Sequence, residues 1–225
     1  MDTIRLPRSL FFLSIFYGGM VCIAGVLGNK QVALGPISQI GNWVGVGPLA
    51  VEAGIFAFLL LVSVSSAVAE LHGPDTARRL VVVGFVPLIV SVLLSVLVLA
   101  LPASPSMAPD RLNAFALMMG GTPRIWLGGI IAYGISQILN VTIFSALKSG
   151  GGKLLWLRAA VASVLSQIAD TLIFVSIAFY GVFPIGELLV GQMLSKVVLS
   201  IVLVPALIYL FVAIGRSLDR RRALN

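Results

Sequence analysis

Residues 154–180 read LLWLRAAVASVLSQIADTLIFVSIAFY, and this stretch decides the fold class. It exceeds the roughly 20 predominantly apolar residues that an α-helix needs to cross a lipid bilayer. Its acidic and basic side chains are Arg158, near the start, and Asp170, in the second half. So few charges over so long an apolar run are typical of a transmembrane helix rather than of a helix in a soluble domain.

Five other stretches of the chain meet the same criterion. Breaks rich in glycine and proline separate them, and the longest, about 102–123, holds four prolines and predicts an irregular external loop. The sequence therefore predicts an all-α fold, a polytopic membrane helix bundle with about six transmembrane helices, in which residues 1–225 form a single transmembrane domain. The predicted helices are at about 10–28, 49–69, 80–101, 124–147, 154–180 and 185–214.

The composition agrees with a lipid environment. Hydrophobic residues make up 59% of the chain and charged residues 10%, whereas soluble domains carry about 25% charged residues. The net charge of +7 does not indicate nucleic acid, because the basic residues stand at the ends of apolar runs instead of along one face. One cysteine, Cys22, and one histidine, His72, exclude a disulfide framework and His-pair zinc motifs, so we expect no metal and no cofactor.

The sequence also argues against an enzyme. It contains neither H-E-x-x-H nor G-x-S-x-G, the motifs of common metalloproteases and serine hydrolases. The segment Ser149–Lys153, SGGGK, lacks the spacing of a phosphate-binding loop and predicts a turn between two helices. Any ATP-driven step would therefore need another chain.

Lysine and arginine placement predicts the orientation. With both termini in the cytoplasm, eleven basic residues lie on the inner side and three on the outer side, Lys30, Arg111 and Arg124. Positive residues concentrate in cytoplasmic loops, so this bias supports cytoplasmic termini and an even number of helices. We expect a multi-pass protein of a bacterial inner membrane, with Arg220–Arg222 as a topological anchor. The inner group is Arg5, Arg8, Arg78, Arg79, Lys148, Lys153, Arg158, Arg216, Arg220, Arg221 and Arg222.

A short internal repeat links two of the predicted helices. Ser136–Phe144 reads SQILNVTIF and Ser166–Phe174 reads SQIADTLIF, with five of nine positions identical. Successive helices run antiparallel, so the repeat is inverted in the membrane. Inverted repeats recur in transporters, whose substrates bind near the repeat interface at mid-depth.

Each copy of the repeat belongs to a polar stripe on one helix face. The spacing i, i+3, i+4 and i+7 places four side chains of each helix on the same side. A rise of about 1.5 Å per residue puts most of these groups, with Lys196, in one layer near the middle or outer half of the bilayer. The fourth-helix stripe is Tyr133, Ser136, Gln137 and Asn140, with Asn140 nearer the cytoplasm; the fifth-helix stripe is Ser163, Ser166, Gln167 and Asp170.

Two interpretations of these stripes stay open. Polar side chains in lipid are costly, so they form either a substrate site or hydrogen bonds between helices. As a site, the Asp170 carboxylate would accept the two adjacent donors on the pairing edge of a guanine-like ring. Gln137, Gln167 and Asn140 would match the remaining groups, and Tyr133 would stack on the ring.

Four other charged residues receive roles from their positions. Lys196 is expected to pair with Asp170, either as part of the site or as a structural ion pair. Arg158 is expected to extend its side chain to the inner headgroups, with a gating or loop role as the alternative. Glu70 ends the second helix, where a gating or loop role is a minor alternative. Glu52, in the first turn of the same predicted helix, is assigned to the helix dipole.

The motifs resemble those of the queuosine precursor transporter family, small six-helix proteins similar to vitamin-uptake transporters and vitamin-binding S-components. The best-matching segment lies on the fifth helix, and the resemblance extends over most of the chain. The matching residues are Asn29-Lys30, Ala69-Glu70-Leu71-His72-Gly73 with Ala77-Arg78, Ala132-Tyr133 with Ser136-Gln137, Trp156-Leu157-Arg158 through Ser163, Gln167, Asp170-Thr171 and Ala178-Phe179, then Lys196, Pro205 and Tyr209.

The resemblance implies uptake of a deazaguanine, either the cyano or the aminomethyl precursor of queuosine. The chain departs from the family pattern at Ser66 and Asn140, where the family commonly has acids, and at His72, where it has a loop aromatic. These departures leave the substrate and any proton coupling open. The alternative is a substrate-binding subunit for another vitamin- or purine-like solute that needs an ATP-driven partner, and a homo-oligomer is a further alternative.

Overall fold

The computed structural model describes residues 6–43, 45, 47–120, 123–149, 154–181 and 185–223. It is 84% helical and has six helices long and apolar enough to cross a membrane, which confirms the predicted all-α polytopic bundle. The six spanning helices are α1, α3, α4, α6, α7 and α8. The elements are α1 Arg8–Leu27, β1 Gln31–Ala33, α2 Ile40–Trp43, β2 Ala50–Glu52, α3 Gly54–His72, α4 Pro74–Ala100, α5 Pro109–Met119, α6 Pro123–Ser149, α7 Leu155–Phe179 and α8 Gly186–Ala223.

Helix α3 is the centre of the bundle and contacts the other five spanning helices. In the apolar 18-residue segment of each spanning helix, 67% of the residues are buried in α3 but only 11% in α4. Small side chains in the run Ser63–Ala67 let neighbouring helices approach α3 closely, as is common between membrane helices. Helix α4 instead exposes a row of valines and leucines, which fits contact with lipid.

The second predicted helix begins later than expected. Residues 50–52 form strand β2, which pairs antiparallel with β1, and Glu52 lies opposite Gln31. Helix α3 begins at Gly54 instead of about residue 49. The helix-dipole role predicted for Glu52 is therefore wrong. The connection between the strands, residues 34–49, includes helix α2 and has positive φ at Gly35, Gly45 and Gly47, a backbone conformation that interrupts a continuing helix.

The predicted irregular loop at about 102–123 is also wrong in part, because it contains helix α5. Pro109 occupies the first turn of α5, where a missing N–H leaves no hydrogen bond unmade. The Asn29 side chain donates to the Met118 carbonyl at 2.8 Å and so joins the end of α5 to the end of α1. Helix α4 likewise begins at Pro74 instead of about residue 80, and Gly73 alone separates it from the end of α3.

The two ends of the bundle differ. The hairpin end carries β1, β2 and α5. The termini end carries the start of α1 and the end of α8, and there Ser9 donates to Asp219 at 2.6 Å and bonds His72 at 2.7 Å. The described basic residues of the predicted inner group lie at the termini end, while Arg5, Lys153 and residues 150–152 of the predicted turn lie outside the described residues. Cytoplasmic termini stay a prediction.

Candidate functional site

A cavity of about 540 Å³ opens inside the half of the bundle nearest the hairpin end. All six spanning helices line it, together with the end of α5 and Glu52 of β2. Its walls are mostly apolar and aromatic, with Trp126 and Phe174 among them. Volumes of about 300–1,000 Å³ with a few polar groups on apolar walls are typical of small-molecule sites.

Asp170 and Lys196 form a buried ion pair on the cavity wall, as predicted. The Lys196 Nζ donates to Asp170 Oδ2 at 3.1 Å, and the two residues are 6% and 8% exposed. Ser136 Oγ donates to the other carboxylate oxygen at 3.3 Å, so the polar stripes of α6 and α7 face each other. Both distances exceed the usual values for charge-assisted hydrogen bonds, which are about 2.7–2.9 Å for N⁺–H···O⁻ and 2.5–2.7 Å for O–H···O⁻.

Tyr133 also lines the cavity, and its hydroxyl bonds the Tyr17 hydroxyl at 2.7 Å. The Phe85 ring meets Tyr133 edge-on, with centroids 5.2 Å apart. Gly84 makes this cluster fit, because a Cβ at that position would lie 2.7 Å from the Tyr133 hydroxyl. The sequence-based prediction missed Tyr17. The feature that could have indicated it is its phenol hydroxyl, which stands within a largely apolar first helix.

The predicted amide residues lie deeper than the cavity. Gln137, Gln167 and Asn140 are fully buried and are not on the cavity wall. Ser65 Oγ donates to Gln137 Oε1 at 3.3 Å, and Asn140 Nδ2 donates to Ser66 Oγ at 3.1 Å. Positions 66 and 140, at which the sequence was expected to depart from the resembled family, are thus in direct contact as a neutral pair.

Several buried polar atoms in this layer have no hydrogen-bond partner among the described residues. Most buried polar groups are paired, and each unpaired one costs about 1–3 kcal/mol. Unused hydrogen-bonding capacity therefore extends from the cavity floor toward the termini end. The atoms are both amide atoms of Gln167, Gln137 Nε2, Asn140 Oδ1, Ser163 Oγ and Thr171 Oγ1.

A second ion-pair cluster closes the termini end. Arg158 donates to Glu70 Oε2 at 2.8 Å, and Lys148 contacts the same oxygen at 3.0 Å. Arg158 is 5% exposed, and its guanidinium lies 4.2 Å from the centre of the Phe144 ring. The prediction that Arg158 extends to the headgroups is therefore wrong, because the acid on α3 holds it inside. Glu70 belongs to the last turn of α3, and a gating role for either residue stays a prediction.

The serine, histidine and aspartate at the termini end do not form a hydrolase triad. In such a triad the histidine lies between the serine and the acid and accepts the hydroxyl proton. Here the Ser9 hydroxyl lies between the other two and donates to Asp219. This arrangement joins α1, α3 and α8, and the aspartate bonds the serine instead of orienting the histidine.

Six membrane-capable helices around a cavity with a buried ion pair define a multi-pass membrane protein with an internal cavity of small-molecule size. A family model described as "Putative vitamin uptake transporter" matches residues 52–210, which include Glu52 and every predicted site residue. The match covers more than half of the chain, and the chain belongs to this family of membrane uptake transporters. No curated protein and no solved structure matches the chain.

Proposed function

We propose that this transporter imports a queuosine precursor, 7-cyano-7-deazaguanine or 7-aminomethyl-7-deazaguanine, across the inner membrane of a bacterium. The observation that supports it most is the Asp170 carboxylate on the wall of the cavity, paired with Lys196 at 3.1 Å. The family membership supports uptake of a vitamin-like solute, and the resemblance of the sequence motifs supports the deazaguanine.

Each group of the ion pair matches a group on the pairing edge of a guanine-like ring. That edge carries two N–H donors beside one carbonyl acceptor. A carboxylate accepts two hydrogen bonds side by side, and an ammonium donates to a carbonyl. The long contacts of Asp170 with Lys196 and Ser136 are exchangeable for shorter bonds to the solute. Trp126, Tyr133 and Phe174 supply aromatic faces for stacking of the two-ring system.

The polar layer beneath the cavity supports movement of the solute beyond its first site. Amide atoms without hydrogen-bond partners belong to Gln137, Gln167 and Asn140. These atoms provide hydrogen-bond donors and acceptors between the cavity and the termini end. The Glu70–Arg158 pair closes that end in the present conformation. A solute held at Asp170 would reach the far side when the bundle opens there.

Uptake into liposomes by the purified protein tests the proposal. We expect time-dependent accumulation of radiolabelled deazaguanine by the unsubstituted protein and by Asp110→Asn, which removes an exposed acid of α5 at the same end. Asp170→Asn should insert normally and lose uptake. Saturable binding without accumulation would favour the alternative, a solute-binding subunit that depends on an ATP-driven partner. Absence of both binding and uptake would refute the proposal.

A further inference from the structure

The charges on the cavity wall do not balance. Among the described residues that line it, Glu52 and Asp170 carry negative charge and Lys196 carries positive charge. Asp170 and Lys196 neutralise each other at 3.1 Å. Glu52 hydrogen-bonds the neutral Gln192 amide at 3.3 Å and forms no ion pair within the described part of the chain. The cavity therefore has a net charge of −1 when both carboxyls are ionised.

We infer that Glu52 makes the cavity selective for a cationic solute, and that the aminomethyl precursor is preferred over the cyano precursor. This inference rests on the proposed function, whose two solutes share one ring system and differ in the charge of one substituent. An alkylamine has a pKa of about 10.4, so the aminomethyl group is cationic at neutral pH, while the nitrile is uncharged.

The position of Glu52 fits recognition of the substituent rather than of the ring edge. Its partner Gln192 lies four residues before Lys196 on α8, and four residues correspond to a rise of about 6 Å. The unpaired carboxylate thus lies about one helical turn from the ion pair, toward the hairpin end. The C7 substituent of a deazaguanine projects from the ring system beside the carbonyl of the pairing edge. With that carbonyl at Lys196, the substituent would lie along α8, on the side where Gln192 contacts Glu52.

Partial burial strengthens the attraction between an ionised Glu52 and a bound cation, because the local dielectric constant is lower than that of water. The side chain is partly buried, and burial raises the pKa of Glu52 above its ordinary value, while nearby Lys196 opposes that rise. A cation that replaces the Gln192 amide at the Glu52 carboxylate would add the attraction between opposite charges to the hydrogen bond, in a site of low polarity. We expect a preference of about 10- to 100-fold for the aminomethyl precursor.

Competition in liposomes tests this inference. The unlabelled aminomethyl precursor and the unlabelled cyano precursor each compete with radiolabelled deazaguanine for uptake. The measured quantity is the ratio of the inhibition constants of the two unlabelled precursors. For the unsubstituted protein and for Asp110→Asn, the ratio should favour the aminomethyl precursor by about tenfold or more. Glu52→Gln should bring the ratio close to one, and Glu52→Asp, which retains the charge, should keep part of the preference.

The ratio does not depend on how much protein inserts, so a loss of folded Glu52→Gln protein leaves the result interpretable. A ratio near one in the unsubstituted protein, with both precursors taken up, would refute the inference and leave the proposed function intact. A ratio that Glu52→Gln does not change would refute it as well. If neither precursor is bound, the proposed function fails and the inference fails with it.

Discussion

Substitution of the buried ion pair gives a prediction that separates stability from transport. Asp170→Asn and Lys196→Met each remove one charge and leave the other buried, whereas the double variant removes both. At 3.1 Å and an effective dielectric constant of about 20, the attraction between the two charges is about 5 kcal/mol. Breaking a buried pair from one side costs about 3–5 kcal/mol, and replacing both partners is often neutral.

We therefore expect each single substitution to lower the free energy of unfolding by about 3–5 kcal/mol, and the double variant to regain most of that free energy. Thermal unfolding in detergent measures the effect. For a chain of this size, the single substitutions correspond to a lower Tm by about 6–20 °C. Uptake should be lost in Asp170→Asn and in the double variant, because neither has the carboxylate.

The matched control is Lys30→Met, which removes an exposed lysine at the hairpin end. This substitution should change the free energy of unfolding by no more than about 0.5 kcal/mol. If the costs of the two single variants simply add in the double variant, the charges do not interact and the reasoning is refuted. A double variant that still accumulates solute would contradict the role of Asp170.

Three further predictions concern other parts of the molecule. Glu70→Gln should lower the free energy of unfolding by about 3–5 kcal/mol, because it leaves the buried arginine of α7 without its acidic partner. Lys148→Gln, which changes a half-exposed partner of the same carboxylate, should lower it by about 0–1 kcal/mol. Chemical unfolding compares the two variants. Gly84→Ala should cost about 1–3 kcal/mol and weaken solute binding by displacing the cavity tyrosine, while Gly18→Ala, which has open space around it, should do neither. Because burial raises the pKa of Glu52, the carboxyl should gain a proton at a pH above the ordinary glutamate range. As the external pH falls from neutral, the preference for the cationic precursor should therefore decline before the ordinary glutamate range is reached. A preference that stays constant down to a typical glutamate pKa would contradict the assignment.

The sequence was sufficient for features that repeat regularly along one helix. Apolar runs of sufficient length predicted the six spans, and the structure confirms their number. The spacing of Ser136 and Asp170 predicted two facing polar stripes, and the two side chains meet at 3.3 Å. The depth of Lys196 relative to Asp170 predicted their ion pair, because helix rise is constant.

Features that depend on a second segment were missed. The strands β1 and β2 have three residues each, and such short strands exist only through their pairing, so Glu52 was assigned to a helix. Arg158 was predicted to reach the headgroups because its partner, Glu70, is 88 residues away in the chain. Helix α5 was missed because prolines at 102, 105 and 109 suggested a loop, although Pro109 fits the first turn of a helix.

The central claim is that the solute binds in the cavity beside Asp170. The single cysteine of the chain, Cys22, lies on the cavity wall and is free, so its rate of reaction with a small thiol reagent reports occupancy without any substitution. We expect the aminomethyl deazaguanine to slow labelling of Cys22 in the unsubstituted protein and to lose that effect in Asp170→Asn. Labelling that the solute leaves unchanged in the unsubstituted protein, or slows equally in both proteins, would contradict the claim.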